Sequence, residues 1–309
     1  MGAIIIFLII LVIIGLFLKI LPYVLVFSVL CFSGFLIYDY YKKKSSKDAE
    51  AAKRFLEEKE AKEKEQRLYE QEQAHQRALK EAARAKEDAL KDAYERFDSM
   101  LSSIPRHEMV IDSDSRRVRG DINDDLHITG VTKSSDLDAL GNFVAIDTET
   151  TGLSAISDEI IELTAIRFVN WQPREMFTTL INPGKHIPAD ASRINHITDD
   201  MVTDAPRIES IIKDFDEFIG KDNLLGHNIS FDAKFLDAAG SGYASRKRKY
   251  YDAMKLAQKI QWEYGPDNNK LDTLCSFYGI RDPQTGHRSS SDALATGILF
   301  RKLVDEKLS

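Results

Sequence analysis

The chain has 309 residues, 29% of them Asp, Glu, Lys or Arg, and a formal net charge of −7. That length holds one or two domains, and the negative balance excludes a generic basic field for nucleic acid, so any such binding must rest on local features. Its two cysteines, Cys31 and Cys275, exclude a disulfide framework.

Residues 3–38 carry one charge, Lys19, and are otherwise dominated by Ile, Leu, Val and Phe. As a single helix the run would be about 54 Å long, against a hydrocarbon core of about 30 Å. One upright pass is a poor fit. Lys19 and Pro22 divide the run into halves near the lower length limit of a span, which predicts a membrane anchor over residues 1–41 folded as a two-helix hairpin turning at Lys19. The run has neither the basic n-region nor the small-residue cleavage site of a signal peptide. Lys42, Lys43, Lys44 and Lys47 follow it, and lysines beside a span are retained on the cytoplasmic side. The expectation is a protein of the cell (inner) membrane whose downstream domain faces the cytoplasm.

From Ser46 to Leu101 the chain is rich in Ala, Glu, Lys, Gln and Arg and lacks Pro and Gly. Pairs such as Glu58 with Lys62, Glu60 with Lys64 and Glu87 with Lys91 have the i, i+4 order that supports a helix, so residues 42–101 are predicted as a long charged stalk. A heptad seam through Phe55, Tyr69, Ala83, Leu90 and Phe97 is interrupted by Lys62 and Gln76, leaving only the last turns able to bury a stripe. A homodimer through a coiled-coil stalk and a monomeric stalk both remain open. Residues 102–141, polar and carrying Arg116, Arg117 and Arg119, read as a linker.

A globular domain is predicted over 142–309. A strand through Asp147 is followed by apolar segments at 160–169 and 176–181, a helix over 208–219, a short strand at Leu224 and Leu225, and helices after Phe231, Asp252, Lys270 and Ser289. Three strands in succession and then alternating helix and strand indicate an α/β domain with a mixed sheet flanked by helices.

The first of these strands, F-V-A-I-D-T-E-T-T-G-L at 143–153, ends in Asp147 and Glu149. Residues two apart in a strand share a face, and two carboxylates crowded at the end of a buried strand repel unless a cation sits between them. In L-L-G-H-N-I-S-F-D, residues 224–232, Asp232 falls in the first turn of a helix. In H-R-S-S-S-D, residues 287–292, serines able to cap a helix separate His287 from Asp292. Taken singly, Asp232 and Asp292 are dipole-compensating acids.

Together and in this order, the segments resemble the DEDDh 3′-to-5′ exonucleases, the group that includes the proofreading subunit of bacterial replicative DNA polymerase. Asp147 and Glu149 match the first motif, Asp232 the second, and His287 with Asp292 the third; I-N-P-G-K-H-I-P at 181–188 and R-I-N-H-I-T-D-D-M-V at 193–202 are similar to the family's connecting segments. The resemblance covers about residues 142–306 and implies a ribonuclease H-like fold and two-metal-ion hydrolysis of nucleic acid from its 3′ end. E-T-T-G-L is more similar to the proofreading branch than to the oligoribonuclease branch, which favours DNA over RNA.

A phosphodiester is anionic and hydrolyses slowly. Two divalent cations about 3.5–4 Å apart lower the pKa of a water and stabilise the leaving oxygen. Four acids with no Cys in reach suit Mg²⁺ or Mn²⁺. The resemblance implies that Asp147 bridges both ions, that Glu149 and Asp292 lie on the nucleophile side, that Asp232 completes the shell in part through water, and that His287 is the general base. It also implies that Thr148, Thr150 and Leu153 seat the terminal nucleotide. His227 and Asn228 sit at the strand-to-helix turn beside Asp232, where substrate binding through a phosphate and turn chemistry are equal explanations. Asn195 stands where many relatives carry His. Arg246, Lys247, Arg248 and Lys249 form a basic run suited to a nucleic-acid backbone or to a solvated loop, and Asp252 and Asp272 are expected as helix caps. The rival reading is a non-catalytic membrane tether whose domain only binds nucleic acid or a protein partner.

Overall fold

The computed structural model describes residues 2–117, 119–123, 126–245, 247–282 and 287–309. It divides into two compact units, Met1–Arg84 and Ala85–Ser309.

The first unit lies within helix α1, Gly2–Ser103. The hairpin expected at Lys19 is absent, because α1 runs unbroken through Lys19 and Pro22. A proline removes one backbone donor, and in an apolar segment the helix absorbs that loss by local adjustment. The helix is long and apolar enough to cross a membrane, and that stretch is not buried within the protein. In its charged part Glu58 and Lys62 pair at 2.7 Å as expected, whereas Lys91 reaches forward to Glu95 at 4.0 Å. Exposed pairs of this kind contribute little each.

The second unit takes in the last turns of α1, where Phe97 is buried and Met100 and Leu101 pack beside it. The chain-order elements are then α2 (Leu137–Leu140), β1 (Phe143–Thr150), β2 (Ile160–Val169), β3 (Gln172–Leu180), α3 (Ala189–Asn195), α4 (Asp199–Val202), α5 (Ile208–Ile219), β4 (Leu224–Gly226), α6 (Ile229–Ala238), β5 (Tyr250–Asp252), α7 (Ala253–Ala257), α8 (Leu271–Tyr278) and α9 (Ser289–Leu308). The five strands form one sheet in the order β3-β2-β1-β4-β5. β1, β2 and β3 are antiparallel neighbours, while β4 and β5 run parallel to β1. This is the mixed sheet the sequence predicts; strand β5 and the short helices α3 and α4 were not foreseen.

Alternation along β1 sets the two layers. Phe143 and Ala145 belong to a core with α7, α8 and α9, whereas Val144 and Ile146 belong to a core with α5 and α6. On the first face α9 lies close against the sheet at Gly297, where a Cβ would stand 2.2 Å from the Phe168 ring. On the second, Ile208, Ile211, Phe215, Phe218 and Ile219 form the buried stripe of α5.

Within the stretch 102–141 expected as a linker, the described residues of 104–131 form a strap over the sheet. Met176 N–H donates to the Pro105 carbonyl at 2.9 Å and His107 N–H to Met176 at 2.8 Å, on edge strand β3. Further along, Thr129 N–H donates to the Tyr250 carbonyl at 2.7 Å on the opposite edge, β5. Met109, Ile122, Leu126 and Ile128 pack between these points against the α5/α6 core. Each edge strand thus has some of its outward backbone groups paired, which lessens its capacity to recruit another strand. Sequence polarity concealed this because the strap's few apolar side chains are scattered among polar ones and its remaining ties run through backbone amides. Nor are its arginines a free basic group: Arg117 pairs with Glu159, and Arg119 donates to the Ile156 carbonyl.

Candidate active site

The period of β1 that builds the two cores also sorts the site. Asp147 and Glu149 point to the α9 side with Phe143 and Ala145, while Thr148 points to the α6 side with Val144 and Ile146. Asp292 arrives on the first side from the opening turn of α9, and one oxygen from each of Asp147, Glu149 and Asp292 lies within 4.8 Å of the others. Asp232, in the first turn of α6, comes from the other side. It lies outside that group of three, and its Oδ1 accepts from the Thr148 N–H at 2.9 Å and the Thr148 hydroxyl at 2.8 Å.

A further acid, overlooked in the sequence, stands beside these four. Glu162 on β2 is 3% exposed and sits directly across from Glu149. Like charges opposite one another across a ladder are destabilising. Arg288 answers this by donating its Nε to both Glu162 oxygens at 3.1 and 3.2 Å. Glu162 Oε2 also accepts the Ser289 N–H at 2.8 Å, and Thr164 Oγ1 contacts Ser289 Oγ at 2.7 Å. The start of α9 is therefore capped from β2 and not by its own serines, since Arg288 occupies the cap position without a side-chain bond. The signal for Glu162 was there to read, as a lone acid in the apolar run I-I-E-L-T.

Without a counter-ion the cluster resists ionisation. Burial drives Asp147 well above the usual carboxylate range, with Asp292, Asp232, Glu149 and Glu162 adding repulsion. Burial likewise pushes Glu149 up to about 8, reinforced by Asp292 and Glu162 and opposed by Arg288. Asp232 is pushed up to about 7 by burial, against the pull of its Thr148 bonds. Asp292 is raised by burial while Arg281 draws it down. Four acids whose ionisation is opposed by burial and by one another fit a hard divalent cation such as Mg²⁺ or Mn²⁺. Asp147, Glu149 and Asp292 are the residues placed to hold it, with Asp232 beside them.

His287 lies just ahead of α9, exposed, with a positive φ of 64° and its Nε2 3.7 Å from Asp272 Oδ2. Asp272 is therefore not the helix cap expected: Lys270 occupies that position, and Asp272 instead accepts from Arg281 at 2.8 Å. Asp252 is a cap, accepting from the Lys255 N–H at 3.1 Å.

A cleft of about 350 Å³ adjoins Glu149 and is lined by Thr148, Thr150, Leu153, Ile194 and Phe231 among others. Thr148 turns its amide and hydroxyl to Asp232. Thr150 Oγ1 donates to the Gly152 carbonyl at 2.6 Å, shaping the turn, and Leu153 is 87% exposed. Asn195 walls the cleft and is 2% exposed, its Oδ1 accepting the Ile197 N–H at 3.1 Å. His227 and Asn228 lie outside the cleft lining. His227 Nε2 donates to the Asn269 carbonyl at 2.9 Å, and Asn228 takes a left-handed turn (φ 68°) at the start of α6. Both sit in the strand-to-helix turn that leads into α6. Of the expected basic run, Arg246 lies outside the described residues, and Arg248 donates to the Gly220 carbonyl at 2.6 Å, bracing the sheet.

Comparison with known proteins agrees with this geometry. The family model RNase T, described as exonuclease, matches residues 144–300. DNA polymerase III PolC-type of Staphylococcus epidermidis is 36% identical over 166 residues, 53% of this chain and 11% of its own length. The PolC-type enzyme of Oceanobacillus iheyensis is 39% identical over 164 residues, 52% of this chain and 11% of its own. The chain thus spans about a tenth of the length of these relatives. A solved structure of exonuclease X in complex with 5′-overhanging duplex DNA is 25% identical, with a TM-score of 0.43 over 53% of this chain and 91% of that one. With the model matched across half of its residues and an acidic site assembled within that match, the chain belongs to the exonuclease family.

Proposed function

We propose that this exonuclease is a metal-dependent enzyme that removes nucleotides from the 3′ end of DNA, held at a membrane by residues 3–38 with its second unit on the cytoplasmic side. The observation that carries the catalytic reading is the convergence of Asp147, Glu149 and Asp292 oxygens within 4.8 Å. When bound there, divalent cations lower the pKa of a water and neutralise charge on the phosphate and the leaving oxygen. Asp147 and Glu149, fixed on a central strand, and Asp292, fixed at a helix start held by Glu162, hold the ligand oxygens in place before substrate arrives. His287 accepts the proton of the attacking water from its exposed loop. The cleft beside Glu149 receives the terminal nucleotide, with Leu153 against the base.

Kinship with the exonuclease segment of DNA polymerases supports DNA over RNA. The complete set of acids speaks against a domain that only binds. The membrane placement draws on the apolar stretch of α1, and Lys42 to Lys47 give the side. The test is to incubate the full chain in detergent with 5′-labelled single-stranded DNA and RNA of one sequence, in Mg²⁺ or EDTA. DNA should shorten faster than RNA, and only in Mg²⁺. Equal cleavage in EDTA would sink the metal mechanism, and faster RNA cleavage would reverse the substrate assignment.

A further inference from the structure

The catalytic acids are approached by a cation that no motif predicted. Arg281 follows α8, and its side chain is 1% exposed. Its guanidinium bridges two helices. One terminal nitrogen donates to Asp292 Oδ1 and to Ser291 Oγ, the latter at 2.7 Å, and the other donates to Asp272 Oδ1 at 2.8 Å. A planar fork presents donors at fixed angles, so three acceptors on one buried guanidinium fix one another's positions.

We infer that Arg281 is a positioning residue for the metal ligand Asp292: by occupying Oδ1 it leaves Oδ2 as the oxygen that ligates, and it locks the carboxylate in that rotamer. The inference rests on the metal-site reading above. An alternative effect of a buried arginine would be to repel the cation. Here that repulsion is offset, because Arg281 lies between two carboxylates. Asp272, Arg281 and Asp292 together carry the single negative charge that Asp292 would carry alone. What Arg281 adds is therefore geometry, and outer partners that orient metal ligands commonly control affinity by about 10–100-fold.

The two effects predict opposite results, which makes the test decisive. Mn²⁺ is titrated by calorimetry into the full chain in detergent without substrate, for the wild type, Arg281→Gln, Arg281→Lys and Ser291→Ala. Arg281→Gln leaves two carboxylates where there was a balanced triad, so charge alone predicts tighter binding. Positioning predicts binding weaker by about 10–100-fold, with Arg281→Lys failing to restore it, because an ammonium keeps the charge and lacks the fork. Binding by Arg281→Gln that equals or exceeds the wild type would overturn the inference, as would full rescue by Arg281→Lys. If Arg281→Gln does not fold, Ser291→Ala decides: it removes one anchor of the guanidinium without altering charge, so weaker Mn²⁺ binding supports the inference and unchanged binding overturns it. A wild-type protein that binds no Mn²⁺ would instead remove the metal site itself.

Discussion

Stripped of divalent cations, the second unit should lose stability as pH rises from about 5 to 8. Glu149 is the group that sets the scale. Burial and the neighbouring acids raise it from an ordinary 4.5 to about 8. Between those values Glu149 keeps in the folded protein a proton that the unfolded chain has released, so its contribution lowers stability as pH rises. At about 1.4 kcal/mol per tenfold change in proton affinity, the penalty is capped at about 5 kcal/mol, and water entering the cleft reduces it. Glu149→Gln cannot ionise. In EDTA at pH 8.5 this variant should be more stable than the wild type by about 1–5 kcal/mol, whereas the two should converge below pH 4.5. Both tryptophans, Trp171 and Trp262, lie in the second unit, so denaturant titrations followed by their fluorescence report on it within the full chain. Adding Mg²⁺ should restore the wild type and not the variant. A wild-type stability in EDTA that is flat or rises between pH 5 and 8.5 would refute the reasoning, as would a variant no more stable at pH 8.5.

His287→Ala should cut turnover by roughly 10² to 10⁴ while Mn²⁺ affinity measured by calorimetry changes little; a large loss of binding would make His287 a ligand instead of a base. Gly297→Ala drives a methyl into the Phe168 ring, and thermal melting should show destabilisation of about 1–3 kcal/mol; an unchanged melting temperature would mean that α9 lies farther from the sheet. As α1 is continuous, a single pass is expected: a cysteine at Gly2, with Cys31 replaced by Ser, should be labelled by an impermeant reagent from outside intact cells. Labelling only after lysis would favour a chain that returns to the side of the lysines.

The sequence exposed the chemistry more clearly than its supports. Strands 143–150 and 160–169 were legible as apolar runs that the sheet buries on both faces, and helix 208–219 because it buries one face; Asp147, Glu149, Asp232 and Asp292 were legible only together, through the order of their motifs. Glu162 and Arg281 were missed for a physical reason: they act across elements, Glu162 from the neighbouring strand and Arg281 from the end of α8, and no local period links them to the acids they hold. The strap failed to announce itself since Met109, Ile122, Leu126 and Ile128, which pack on the core, follow neither a helical nor a strand period. His227 and Asn228 left phosphate binding and turn chemistry equally open, because a strand-to-helix turn beside an acid looks alike whether it serves a ligand or only a change of direction. The hairpin failed at Pro22, where an apolar helix absorbed the loss of a donor.

The central claim is that the three converging carboxylates drive removal of nucleotides from a 3′ end. Its most direct test is a time course on single-stranded DNA labelled at the 5′ end, with the 3′ end free or blocked, using the full chain and Asp147→Ala in Mg²⁺. The account predicts a ladder of products shortened one nucleotide at a time from the free 3′ end, none from the blocked DNA, and none from Asp147→Ala although its tryptophan fluorescence matches the wild type. Immediate release of the labelled 5′ nucleotide, or undiminished cleavage by Asp147→Ala, would contradict it.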